Sequence, residues 1–415
     1  MNIVSQYKGL RRENYVLCFG RLVTGMGSMI WPMLTMILNQ KMGMGGKHIA
    51  WVIAAVGILS LPANLAGGKT ADNYNKKMNI VYLDMVSVAC YFICAAIPLS
   101  AVTMALMAVA ATCQSMEGPS YNALTADITA TEDRERAYSL QYLGGNLGFV
   151  MSPTIAGFLF QDYLWLAFLI SGIAIGCSTI LIYIFVKDIA PVKEEGERAV
   201  YQVSREGESL WGVLKGNKTV LLYILVISGY YATYQMYNYL MPLDLARLHG
   251  ESGAVIYGSV TSVNCAVVVI FTPLITRLCS RLSEPVKTVL GQGLLMAGFV
   301  LFVVFAGHIP VYYIAMVILT WGEIFGMLAE SPYLTRRMPA SHRGRINGLV
   351  AVVRTGFTSV YQLLIGFIYE AGASAAAWTA VLAIGGFFVL AAVWLAAIDR
   401  KAYRNLYLSV VSNRS

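Results

Sequence analysis

Gln114-Ser-Met-Glu117-Gly118-Pro119 opens the stretch that decides the fold. It continues through a charged turn, Asp127 to Arg136, into a segment dotted with Gly144, Gly145, Gly148, Ser152, Pro153, Ala156 and Gly157. This reads as the cytoplasmic half of an apolar helix carrying a carboxylate, a short turn, and a second helix rich in small residues. About 210 residues later the unit returns as Glu330-Ser331-Pro332, Arg343-Gly344-Arg345 and Gly366-Phe367.

The surrounding chain sets the solvent. Its 415 residues are 57% hydrophobic and 13% charged, with a mean hydropathy of +0.63, beyond the range of ordinary soluble domains. Apolar runs of about 20 residues recur, each long enough to cross a bilayer as a helix. The alternating strands of an outer-membrane barrel are absent. Twelve spans are expected, at about 15–39, 49–71, 79–100, 102–127, 137–160, 164–186, 217–246, 253–277, 287–307, 311–337, 346–370 and 375–398. The expected fold is an all-α polytopic membrane protein of two pseudo-symmetric six-helix bundles. The first is 1–186, then a polar linker at 187–216, then the second bundle with a short tail at 217–415.

Charge placement orients these spans. The net charge of +8 lies in clusters on every second connection, among them Lys8 to Arg12, Lys69 to Lys77, and Arg336 to Arg345. The intervening connections hold Lys41, Lys47 and Arg247. By the positive-inside rule both termini are cytoplasmic, in a plasma or inner membrane. Scattered clusters make no continuous basic face for nucleic acid. The seven cysteines form neither a CxxC pair nor an extracellular framework, and the polar start, Met1 to Asn14, is no cleavable signal.

The echo extends further. Trp31-Pro32 matches Met241-Pro242, and Gly157-Phe-Leu-Phe matches Gly366-Phe-Ile-Tyr. Repeats with an even number of spans share one orientation, an architecture found in secondary transporters with a site near the midplane.

These motifs resemble the major facilitator superfamily, and within it the drug/proton antiporter branch. The turn Gly68-Lys-Thr-Ala-Asp72-Asn-Tyr-Asn-Lys76-Lys77 resembles the family's Gly-x3-Asp-x3-basic-basic turn, with Asn73 and Asn75 where Arg and Gly are usual. Gln114-Ser-Met-Glu117-Gly118 stands where the family has Arg-x-x-Gln-Gly, so the intramembrane Arg is missing. Gly148-Phe-Val-Met-Ser152-Pro153-Thr-Ile-Ala156-Gly157 resembles the exporters' fifth-span motif. The resemblance covers essentially the whole chain. It implies a cytoplasmic gate built from Gly68, Asp72, Lys76, Lys77, Asp127, Arg134 and Arg136, with Asp127 pairing Lys76. Plain topology-setting charge explains the same residues.

Ionisable groups inside a bilayer cost on the order of 3 kcal/mol on insertion scales and therefore need a reason. Glu323 lies mid-span, and Glu330 falls on the same face about 10 Å nearer the cytoplasm. Glu117 is the pseudo-symmetric partner of Glu330. All three are candidate proton carriers or structural braces, whereas Asp84 reads as structural and nearer water. Arg21 and Arg354 either neutralise a buried Glu, snorkel toward the cytoplasmic interface, or bind an anionic substrate. In the seventh span, Tyr230, Tyr234, Tyr237 and Asn238 share a helical face. Together with Met29, Trp321, Gln114 and Asn146 they line a candidate substrate cavity, unless they are a belt and packing residues.

The expected activity is proton-coupled export of amphipathic small molecules by alternating access, as a monomer using the proton gradient and no cofactor or metal. The alternative is a symporter or facilitator for a polar or anionic metabolite using Arg21 and Arg354. No P-loop, HExxH or GxSxG motif appears, so neither ATP-driven transport nor an enzyme is expected.

Overall fold

The computed structural model describes residues 7–129, 133–187, 210–279, 282–305, 307–338, 343–371, 374–404 and 406–407. They form α-helices with short turns, and no strand occurs among them. The all-α expectation holds. In order the helices are α1 (Arg12–Gly27), α2 (Ile30–Met36), α3 (Gly46–Asn73), α4 (Lys76–Ala96), α5 (Ala101–Ile128), α6 (Arg134–Phe149), α7 (Ser152–Leu159) and α8 (Leu164–Phe185). They continue as α9 (Leu210–Gly216), α10 (Lys218–Tyr234), α11 (Met236–His249), α12 (Gly253–Leu278), α13 (Glu284–Val304), α14 (Ile309–Arg337), α15 (Arg343–Glu370) and α16 (Ser374–Ala402).

Among the described residues, nine helical stretches are long and apolar enough to span a membrane. One of them, Lys218–Leu278, covers the seventh and eighth expected spans together. The fourth and fifth expected spans lie outside this set. They carry Gln114, Glu117 and Asn122 in α5, and Arg134 to Arg136 at the start of α6. Three expected spans are split. A Gly27-Ser28-Met29 break parts α1 from α2, the Ser152-Pro153 pair starts α7, and Gln235 separates α10 from α11. Each split leaves backbone groups that a straight helix would have paired. At the first break the Ser28 hydroxyl donates back to the Thr24 carbonyl at 2.8 Å. Large apolar side chains such as Leu65, Phe158, Leu390 and Trp394 stand exposed, as lipid-facing positions do.

By contact the described residues form two compact units. The first comprises those of Met1–Glu195 and Met241–Val269, the second those of Gly196–Leu240 and Ile270–Ser415. Contact therefore gives Met241–Val269 to the first unit, although the sequence division places it after the linker. Most of that linker falls outside the described residues.

Close backbone approach explains the assignment. A Cβ at Gly157 would meet the Ala254 backbone, and one at Gly258 would meet the Pro153 carbonyl. The Thr154 hydroxyl also lies 2.7 Å from Ser262 Oγ. Small residues allow this joint of α7 with α12 because nothing protrudes between the backbones.

Elsewhere in the first unit, α1 packs against α6 and α8, and α5 against α3 and α4. Leu17, Ile80, Tyr121, Leu124, Ile128 and Ile182 form its apolar cluster.

The second unit packs α13 between α14 and α16, with α10 against α15 and α16. A buried charge network ties its helix ends together. Arg337 Nη2 lies 2.7 Å from Asp399 Oδ2, and Nε lies 2.9 Å from Oδ1. Tyr333 and Tyr407 donate to the same carboxylate at 2.7 and 2.5 Å. Arg336 reaches Glu284 at 2.7 Å. The Arg337 and Asp399 side chains are 1% and 0% exposed, so both charges depend wholly on these partners.

Candidate functional site

The residues singled out in the sequence separate into three places. At the expected gate of the first unit, Asn75 caps α4 by accepting the Met78 N–H at 2.9 Å. The next residue, Lys76, lies 2.5 Å from Asp127 Oδ2, the pairing the resemblance implied. This pair opposes both helix dipoles, with a cation in the first turn of α4 and an anion in the last turn of α5. Arg136 bonds Asp133 at 2.5 Å and the Lys8 carbonyl at 2.8 Å. Lys77 lies 5.3 Å from the Tyr183 ring centre. Gly68 has open space where a Cβ would sit. The side chains of Asp72 and Arg134 lie outside the described residues.

The dipole opposition gives a test. Asp127→Lys alone sets two cations side by side and should lower the melting temperature in detergent by a few degrees. Adding Lys76→Asp should restore it fully, since each charge then suits its helix end. A double variant no more stable than the single one would refute the pairing's contribution.

The second place is the middle of the second unit. Tyr234 on α10 donates to Glu323 Oε2 on α14 at 2.6 Å. The Tyr237 ring meets Tyr234 edge-on at 5.0 Å, and the Tyr230 hydroxyl donates to the Gly322 carbonyl. These three tyrosines are buried, at 1%, 8% and 4% exposure for Tyr230, Tyr234 and Tyr237. Asn238 turns back to Gln235 at 2.8 Å, and Trp321 packs on Phe271 with ring centres 5.6 Å apart. Seven residues along α14 from Glu323, Glu330 is ion-paired with Arg354, whose guanidinium also lies 3.9 Å from the Tyr231 ring centre.

The third place is the interior of the first unit. The Arg21 guanidinium lies over the Tyr121 ring at 3.7 Å. Glu117 on α5 neighbours Asp84 on α4, and Thr179 donates to Asp84 at 2.7 Å. Asp84 is 6% exposed, covered by α8. Met29 is buried. A cavity of about 440 Å³ opens beside Arg21, with Asn146 also in its wall. Arg21 and Asn146 are thus the expected cavity residues that line it.

Sequence reasoning overlooked the Asp84–Glu117 pair and the Arg337–Asp399–Glu284 network. The one available signal was an acidic residue at or inside three span ends, at Asp84, Glu284 and Asp399.

A family model described as Major Facilitator Superfamily matches residues 17–360. A curated relative, the MFS-type transporter YqjV of Bacillus subtilis, is 23% identical over 81% of each chain. A Na(+), Li(+), K(+)/H(+) antiporter of Planococcus maritimus is 20% identical over 76% of this chain and 80% of its own. Among solved structures, a mutant peptide transporter POT in complex with alafosfalin superposes with a TM-score of 0.78 at 15% identity. It covers 96% of both chains. A mutant nucleoside transporter NupG superposes at 0.71 and 12% identity, covering 92% of this chain and 98% of its own. At these identities the structural likeness speaks for the fold.

Proposed function

The chain belongs to the major facilitator superfamily and is a multi-pass secondary transporter, and from that premise we propose that it exports amphipathic small molecules in exchange for protons. The observation that carries this reading is Glu323, a carboxylate in the middle of α14 engaged by the Tyr234 hydroxyl. A hydroxyl donates to a carboxylate and accepts from a carboxylic acid, so Tyr234 satisfies Glu323 in either protonation state. Glu330 is committed instead to Arg354, so the mobile proton is assigned to Glu323. The rings of Tyr234 and Tyr237 beside it supply apolar area with polar handles, suited to amphipathic cargo. The likeness to a cation/proton antiporter supports exchange as the mode.

Dye efflux from inside-out vesicles under an imposed pH gradient tests the assignment. Glu323→Gln should lose pH-driven transport by at least about tenfold, within the range ascribed to a positioned proton carrier. It should retain counterflow exchange of labelled substrate, which needs no net proton movement. Undiminished pH-driven transport in the variant would remove Glu323 from the mechanism.

A further inference from the structure

Arginines inside a membrane protein are ordinarily given a carboxylate. Arg354 has Glu330, and Arg337 has Asp399 and Glu284. Arg21 differs. Its guanidinium lies on the Tyr121 ring, and among the described residues it has neither an ion pair within bonding distance nor a hydrogen-bond acceptor. Stacking uses the face of the guanidinium and leaves its in-plane N–H donors available.

Two carboxyls act on Arg21 through space, Glu117 from α5 and Asp84 from α4. Neither carboxyl lies within ion-pair or hydrogen-bond distance of the guanidinium, so neither supplies its in-plane N–H donors with an oxygen. From the other side Arg21 faces the cavity of about 440 Å³, a volume typical of small-molecule sites. Its wall combines Asn122, whose side-chain amide has no partner among the described residues, with the rings of Tyr138, Tyr142 and Phe149.

We propose that this cleft binds an amphipathic organic acid, with the carboxylate on Arg21 and Asn122 and the apolar body against Tyr138, Tyr142 and Phe149. A carboxylate supplies the acceptors the guanidinium lacks, in the planar two-pronged geometry that arginine matches. The aromatic rings cover a hydrocarbon body that the amides alone would not hold. The proposal rests on the reading that the cargo is an amphipathic small molecule, and it narrows that cargo to acids.

The test is calorimetric binding to the purified full chain in detergent. The probes are naphthalene-2-carboxylate, its neutral carboxamide and naphthalene-2-methylammonium. The carboxylate should bind at least about tenfold tighter than the other two, the difference expected of one charge-assisted contact. Arg21→Gln should remove that preference, and Arg21→Lys should keep part of it. Asn122→Ala, at an exposed position, should weaken carboxylate binding several-fold without changing the unliganded melting temperature. No carboxylate preference in the unaltered chain, or an undiminished one in Arg21→Gln, overturns the proposal. Binding in detergent requires no proton coupling. Failure here with the Glu323 result intact removes only the organic acid, and the reverse outcome removes only the coupling assignment.

Discussion

Replacing Arg337 by Ala is expected to cost about 3–5 kcal/mol, enough to eliminate most folded protein from a detergent extract. The reason is what remains behind. Asp399 is fully buried and would keep only the hydroxyls of Tyr333 and Tyr407 against its charge. Glu284 would lose one of its two arginines. Asp399→Ala should also be damaging, because it leaves the guanidinium, between the Tyr333 and Tyr403 rings, with Glu284 at 3.4 Å as its one remaining carboxylate among the described residues. The combination Arg337→Met with Asp399→Leu leaves no stranded charge and should recover most of the loss, as exchanged buried pairs often do. Thermal unfolding of the four proteins measures this. A double variant as unstable as the sum of the singles would show that the network acts through geometry rather than through charge compensation.

The second large effect is expected at Gly148. A Cβ there would drive into the Leu22 carbonyl and the backbone near Met26, on the facing helix α1. Backbone cannot step aside as a side-chain tip can, so Gly148→Val should force α1 and α6 apart and cost about 3 kcal/mol or more. Three residues earlier the same helix offers an internal control. Gly145 has no atom within 4 Å of its ideal Cβ, and Gly145→Ala should be neutral or slightly stabilising through helix propensity. Gly144 is tight against Cys18, with its carbonyl at 2.7 Å and its sulfur at 2.8 Å, and Gly144→Ala should fall between the two. Size-exclusion profiles and melting temperatures rank the three. Equal damage at 145 and 148 would refute the close-approach explanation.

These two cases mark where sequence reasoning stops. The all-α membrane fold was legible because span length, hydropathy and alternating basic connections are local properties of the chain. The Lys76–Asp127 pair, 51 positions apart, was reached through the family resemblance and not through any local property of the chain. The glycines were legible only as a group: their spacing marks a packing face, but which carbonyl each one meets is set by the neighbouring helix.

The charge network was hidden for a different reason. Arg337 lies in a run of basic residues that the positive-inside rule already accounts for, and its partner is 62 positions away. Tyr234 and Glu323 were each noticed, but nothing in either segment shows that one bonds the other across 89 positions. Arg21 and Arg354 looked equivalent as intramembrane cations. Packing gave one a carboxylate and left the other facing a cavity.

The joint between α7 and α12 has a consequence of its own. From Ser152 to Leu159 and from Gly253 to Ser262 there is no charged residue, and the contact consists of glycine against backbone with one hydroxyl pair. Dissolved ions screen charges over about 8 Å at physiological ionic strength, and here they find nothing to screen. A joint made of fit alone answers to volume: hydrostatic pressure acts on it through whatever void it closes, while ionic strength leaves it unchanged.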